Sequence, residues 1–252
     1  MKKIKIFFII ITVFLFQFVH SQNSMELQAQ KKPNPKLILD KDYFLLGTLS
    51  DYLGRQKSYR NDDFVDGYYE GETLLMSYII KIHSDESPEF IIEKNQYPYN
   101  NIEDILKSKK ISKKINSFYN YKNDGGFRMD ESIYKLKGKE FRKSLDEFSK
   151  STEPKDTVYT GTIKANLFKT DLQKISFITG VYTRFGESNE NRYCIKLYNS
   201  LSKYENCILI LEQLKCENIE KVIIDNIPTN QLVYFNPSDE LKKYLDAYKF
   251  LK

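Results

Sequence analysis

The densest group of residue types able to do chemistry is an acidic run, Asp62, Asp63, Asp66, Glu70 and Glu72, set among Phe64, Gly67, Tyr68, Tyr69 and Gly71. Closely spaced carboxylates can hold calcium, or can work as a pair in glycoside hydrolysis. The calcium-loop template needs oxygen donors at its third and twelfth positions, where a loop starting at Asp62 has Phe64 and Thr73. No metal site is therefore expected. Tyr59, Phe64, Tyr68 and Tyr69 offer faces on which a sugar could stack, without a spacing diagnostic of one. The plainest reading of the run is a flexible acidic loop.

His83, followed by Ser84, Asp85 and Glu86, is the one histidine outside the N-terminal segment. Acyl transfer needs a nucleophile, a base and an orienting acid gathered in space. No G-x-S-x-G elbow presents a serine, so catalytic residues stay unassigned. Gly47 with Gly54, and Gly180 with Gly186, fit neither a dinucleotide fingerprint nor a P-loop, and no cofactor is expected. A hydrolase using an Asp/Glu pair is the alternative to a non-catalytic protein. It requires Asp62, Asp63, Asp66, Glu70, Glu72 and His83 to converge in one cleft.

Lys107, Lys109, Lys110, Lys113 and Lys114 make a basic stretch followed by Phe118, Tyr119 and Tyr121. Such a run is usually a solvated helix face. In an exported protein it could also meet anionic envelope polymers, whereas nucleic acid is not an expected partner.

Export is read from the N-terminus. Lys2, Lys3 and Lys5 precede an apolar run from Ile6 to Phe16, and Val19 and Ser21 place smallish residues before a cleavage point at Gln22. Residues 1–21 thus read as a bacterial signal peptide, too short for a membrane span of about 20 residues. No later run predicts a transmembrane segment. The mature chain is expected in the periplasm or secreted.

Cleavage takes three lysines and no acid, so the formal charge falls from +5 to +2. That near-balance argues against a nucleic-acid-binding face. Of three cysteines, Cys194 and Cys216 are placed by the predicted strand and helix at one level, which suggests a disulfide. Cys207 falls on the apolar face of that helix.

Residues 22–36 read as a flexible lead-in, with 37–148 and 157–252 as α+β regions either side of a polar linker, 149–156. In the first region Leu37 to Leu49, Thr73 to Ile82 and Phe90 to Glu93 suggest strands. Asn101 with Asp104 opens a helix to about Phe118, Asn123 to Gly126 is a turn, and Gly138 to Phe148 is a helix. In the second, Thr157 to Phe168 and Ile175 to Phe185 alternate as strands do, with a turn at Gly186 to Asn189. Tyr193, Ile195 and Leu197 form a strand. Ser202 with Glu205 caps a helix, strands follow at Val222 to Ile224 and Leu232 to Phe235, and Asn236-Pro237 caps a final helix. The predicted class is α+β, a mostly antiparallel sheet with helices on one face and two subdomains.

The stretch from Ile195 through Lys203, Tyr204, Glu205, Asn206, Cys207 and Leu214 into Ile223 resembles the first strand–helix–strand of SPOR domains. Leu232 to Leu251 resembles their second strand and helix. The resemblance implies a small peptidoglycan-binding module of β-α-β-β-α-β order, although the chain ends without the last strand and no glycine follows the first. The functional expectation is an exported, non-catalytic binding or envelope-accessory protein whose partner is a protein or an envelope glycan.

Overall fold

The computed structural model describes residues 37–58, 62–87, 89–95, 102–128, 136, 138–151, 155–189 and 192–252. The export signal and the lead-in 22–36 lie outside them. In chain order the first elements are α1 (Lys41–Thr48), β1 (Arg55–Lys57), β2 (Phe64–Tyr69), α2 (Thr73–His83), β3 (Ile91–Lys94), β4 (Ile102–Lys107), α3 (Lys109–Asn116) and β5 (Tyr119–Arg128). Then come α4 (Gly138–Lys150), β6 (Asp156–Ile163), α5 (Asp171–Phe185), β7 (Gly186–Asn189), β8 (Arg192–Tyr198), α6 (Leu201–Gln213), β9 (Glu217–Ile224), β10 (Asn230–Asn236) and α7 (Asp239–Tyr248).

Three segments expected as strands are helices, and together they make the centre of the fold. α1 starts at Asp40, whose carboxylate accepts from the backbone N–H groups of Asp42 and Tyr43. Every residue from Tyr43 to Thr48 is buried. A helix enclosed on all sides lacks the polar face that makes a 3.6-residue period visible. α2 turns Leu75, Met76, Ile79 and His83 inward at helical spacing, so packing overrides its β-branched content. α5 opens with a capping box made by Thr170 and Gln173. Its buried Ser176, Thr179, Gly180 and Thr183, interleaved with apolar residues, imitate strand alternation.

α1 and α5 meet backbone to backbone at Gly47 and Gly180. A Cβ on Gly47 would lie 2.7 Å from the nitrogen of Val181 and 3.0 Å from the Cα of Gly180, closer than atoms pack. The absence of side chains at both positions lets the helices touch. Phe44, Tyr78 and Tyr248 then close an aromatic cluster between α1, α2 and α7, with ring centroids 5.7–6.0 Å apart.

The class is α+β, with three antiparallel sheets of order β1-β6-β5, β2-β4-β3 and β7-β8-β10-β9. β6 lies between β1 and β5, so the regions 37–148 and 157–252 share a sheet, and residues 39–252 cluster as one compact unit. The helix expected from Ile102 is β4 followed by α3, which starts at Ser108. The turn expected at Asn123 to Gly126 is a register shift within β5. That expected at Gly186 to Asn189 is β7, paired with β8. No capping box forms at Ser202, whose hydroxyl instead accepts from the Ile163 N–H at 2.9 Å. The N-cap position of α7 is Ser238, two residues beyond the expected Asn236 cap.

On the four-stranded sheet the helices keep to one face. Tyr193 stacks on Tyr182 of α5 and donates to Asp246 of α7, and Gln231 on the same face accepts from the Ser200 N–H before α6. The opposite face carries Cys194, Lys196, Tyr198 and Tyr234, among which Lys196 lies over Tyr198. No helix of the described residues is long and apolar enough to cross a membrane.

The three cysteines are free, which corrects the expected Cys194–Cys216 bridge. Cys194 lies on β8 and Cys216 immediately before β9, and β10 runs between those two strands, which sets them about 9–10 Å apart. A disulfide needs Cα atoms within about 7 Å. Cys207 is buried in α6 as expected, and burial pushes its thiol up to about 12.

Candidate functional site

The acidic residues do not converge. Asp66 is buried on β2, and with Glu72 it faces Arg184 of α5. Asp62 is exposed and pairs with Lys109 at 2.9 Å, while Glu70 is exposed in the turn after β2. Asp62 and Asp63 line an open groove of about 630 Å³ with Glu86, Ser87, Ser108 and Lys110. His83 lies with Asp42 and Glu86 instead. The convergence that an Asp/Glu hydrolase built on this run requires is therefore not found: its one buried carboxylate, Asp66, already holds an arginine.

That arginine belongs to a frame of buried cations for which the sequence offers no motif. All five N–H donors of Arg184 are used. Nε donates to Glu72 (2.8 Å), Nη1 to Asp66 (2.5 Å) and the Thr48 carbonyl (2.8 Å), and Nη2 to Glu72 (2.7 Å) and the Gly67 carbonyl (2.6 Å). Asp66 also accepts from the hydroxyl and N–H of Ser50. Lys203 of α6 is fully buried and donates to the carbonyls of Gly47 and Leu49, where the dipole of α1 ends in partial negative charge. Arg55 donates to the carbonyls of Val65 and Phe64. These groups hold element ends together.

Tyrosines around this frame make the fold sensitive to alkali. Burial raises the hydroxyls of Tyr68 and Tyr119 above their ordinary value, helped by Asp66 and Asp51 respectively. Burial likewise pushes Tyr121 and Tyr193 up to about 12. A group whose folded pKa is raised stabilises the fold below its unfolded pKa of about 10 and loses that contribution as pH rises through the folded value. Unfolding is expected between about pH 10 and 12, with tyrosinate absorbance rising steeply alongside loss of helical signal. Gradual titration centred on pH 10 with the fold intact would refute this assignment.

Asp42 in the first turn of α1, His83 at the end of α2 and Glu86 just after it form a second polar group. One donor atom from each lies within 4.8 Å of the others. His83 is wholly buried, and neither ring nitrogen has a hydrogen-bond partner; Nδ1 is 3.9 Å from Asp42 Oδ1. Burial lowers the pKa of its imidazole. Lys114 of α3 bridges the carboxylates, 2.9 Å from Asp42 and 2.5 Å from Glu86, and Lys41 reaches Glu86 at 2.7 Å. Hydrogen bonds from Lys114 and Lys41 hold the Glu86 carboxyl down at about 2. Among the described residues no hydroxyl makes a hydrogen bond to His83.

The basic stretch is largely neutralised by neighbours. Lys107 pairs with Glu93, Lys109 with Asp62 and Lys114 with Asp42 and Glu86, while Lys110 and Lys113 remain exposed.

A third feature escaped the sequence reading. Asn199 ties three loops at one end of the four-stranded sheet. Its carbonyl accepts from the Leu53 N–H (2.8 Å) and its N–H donates to the Thr229 carbonyl (3.0 Å). Its side-chain oxygen accepts from the Thr229 N–H (3.0 Å), and its amide donates to the Tyr52 hydroxyl (2.9 Å). The loops so fixed and the element ends beside them expose Tyr52, Leu53, Tyr198, Leu201 and Ile227, with Leu53 57% and Leu201 55% accessible and Ile227 fully so. Leu53 sits at φ +59°, where a branched side chain is strained. Only the turn residues Gly54 and Asn199 give a sequence signal here, and neither reveals an apolar end.

Comparison of the chain with family models and with curated proteins finds no match.

Proposed function

We propose that this is an exported, non-catalytic binding protein of the bacterial envelope or its surroundings, and that it docks a protein through Tyr52, Leu53, Tyr198, Leu201 and Ile227. The supporting observation is the Asn199-tied end, where large apolar side chains are held out to water by a rigid hydrogen-bonded frame. Scattered exposed leucines need no explanation, but several gathered on fixed loops, one of them strained, mark a contact surface. Such side chains suit an apolar pocket on a protein better than a hydroxyl-rich polymer.

A second reading, binding of cell-wall glycan, is favoured by element order. β8-α6-β9-β10-α7 follows strand–helix–strand–strand–helix, and β7 takes the edge beside β8.

One experiment separates the two. A photo-crosslinking residue replaces Ile227 in the exported chain, and the same chain is sedimented with cell-wall sacculi. Leu53→Asn is the control, because asparagine tolerates a positive φ better than leucine and the fold should be kept. A discrete protein adduct that Leu53→Asn abolishes supports docking. Cosedimentation with sacculi and no adduct would instead establish the glycan reading. The exported chain should begin at Gln22 by N-terminal sequencing; retention of residues 1–21 would overturn cleavage.

A further inference from the structure

We propose that Asp42, His83 and Glu86 bind a divalent first-row transition-metal ion, with zinc the best fit. The site is built from other residues than the docking end and stands or falls without it.

The buried histidine carries the inference. Buried polar groups are nearly always hydrogen-bonded, and an exception calls for an explanation. His83 is wholly buried with both ring nitrogens unpartnered, and one of them lies within 4.8 Å of carboxylate oxygens on Asp42 and Glu86. An imidazole beside two carboxylates is a common zinc-ligand set. Zinc holds such donors at about 2.0–2.2 Å, which brings them to roughly 3.4 Å from one another. The histidine is fixed by packing, whereas Asp42 and Glu86 are 23% and 24% exposed and free to turn inward. Calcium and magnesium prefer oxygen donors alone, so the nitrogen selects the class of metal.

Lys114 and Lys41 show that the carboxylates already attract cations. The ammonium of Lys114 spans Asp42 and Glu86, but it leaves the histidine unused. Its side chain is 36% exposed, so a divalent ion can displace it outward and gain the third donor. Glu86 also lines the groove shared with Ser87 and Ser108, which leaves a path to the fourth coordination position for water or an exchangeable ligand.

The test uses the full, untagged chain, with Zn²⁺ titrated against a chromophoric chelator and Co²⁺ as a spectroscopic substitute. One Zn²⁺ per chain is expected, and Co²⁺ should give visible bands without the near-ultraviolet charge transfer that a thiolate ligand produces. His83→Gln and Asp42→Asn should each weaken Zn²⁺ at least about tenfold. Lys114→Met should strengthen it, because it removes the competing ammonium. If His83→Gln does not fold, Asp42→Asn, which changes a partly exposed carboxylate, decides alone. Absence of binding, binding indifferent to these substitutions, or a cobalt–thiolate band would overturn the proposal and leave the group as ion pairs joining three helices.

Discussion

Replacing Arg184 with methionine is expected to destabilise the fold by about 3–5 kcal/mol, the range for removing one partner of a buried ion pair. Methionine fills much of the volume, so the loss is electrostatic. Asp66 keeps its contacts with Ser50 but is left as a buried, uncompensated carboxylate, and the carbonyls of Thr48 and Gly67 lose their donor. Arg184→Lys should fall between wild type and methionine, because an ammonium has three donors and cannot serve the five contacts the guanidinium makes. Arg184→Met combined with Asp66→Asn should recover part of the loss by removing the stranded charge. Urea unfolding followed by circular dichroism measures all three. A loss below about 1 kcal/mol, as for an exposed pair, would mean that the guanidinium is solvated and the frame is not what joins α1, β2 and α5.

Gly180→Ala provides a test of sign. In an ordinary helix interior this change is stabilising by about 1 kcal/mol, because glycine has the greater freedom to lose. Here the added methyl would collide with the Phe44 carbonyl group and lie 3.2 Å from Gly47 Cα. Backbone cannot rotate away as a side chain can, so α1 and α5 must separate. A destabilisation of about 3 kcal/mol or more is expected, at the upper end of overpacking costs. Gly47→Ala should behave alike, and the double substitution should cost less than the sum, since the first already parts the helices. A more stable Gly180→Ala would show that the helices do not touch there.

Elements with one wet face were legible. α4, which buries no residue, still shows its period because Phe141, Leu145 and Phe148 share one side among charged neighbours. β8 and β10 alternate because only one face of their sheet carries helices. The helices at the centre were read as strands for the opposite reason. α1 is enclosed all round, and α5 buries small hydroxyl residues that look polar in sequence but face α1. The strand reading passed over the Asp40 cap and the Thr170–Gln173 box, the end signals these helices do carry, because end groups must be satisfied wherever a helix goes. The sites were harder to read. His83 and Glu86 are neighbours in sequence, yet Asp42 comes from another helix. The acidic run looked like one feature until β2 turned Asp66 inward and left Asp62 and Glu70 in water. Arg184 and Lys203 resemble any surface cation, and only the three-dimensional course of the chain reveals the carbonyls and carboxylates waiting for them.

The pairing of α1 with α5 also sets the order in which the chain can assemble. The Asp40 N–H reaches the Ser176 hydroxyl across 136 positions, and β1 waits similarly for β6. A nascent chain emerging from the ribosome therefore carries Tyr43 to Leu49 without its α5 partner until about two-thirds of it has been made. Contacts between such distant segments slow folding, because a long loop must close before they reward it. For that interval the early segment lacks the helix packed most closely against it, so its full burial is timed by the course of the chain and not by its own sequence.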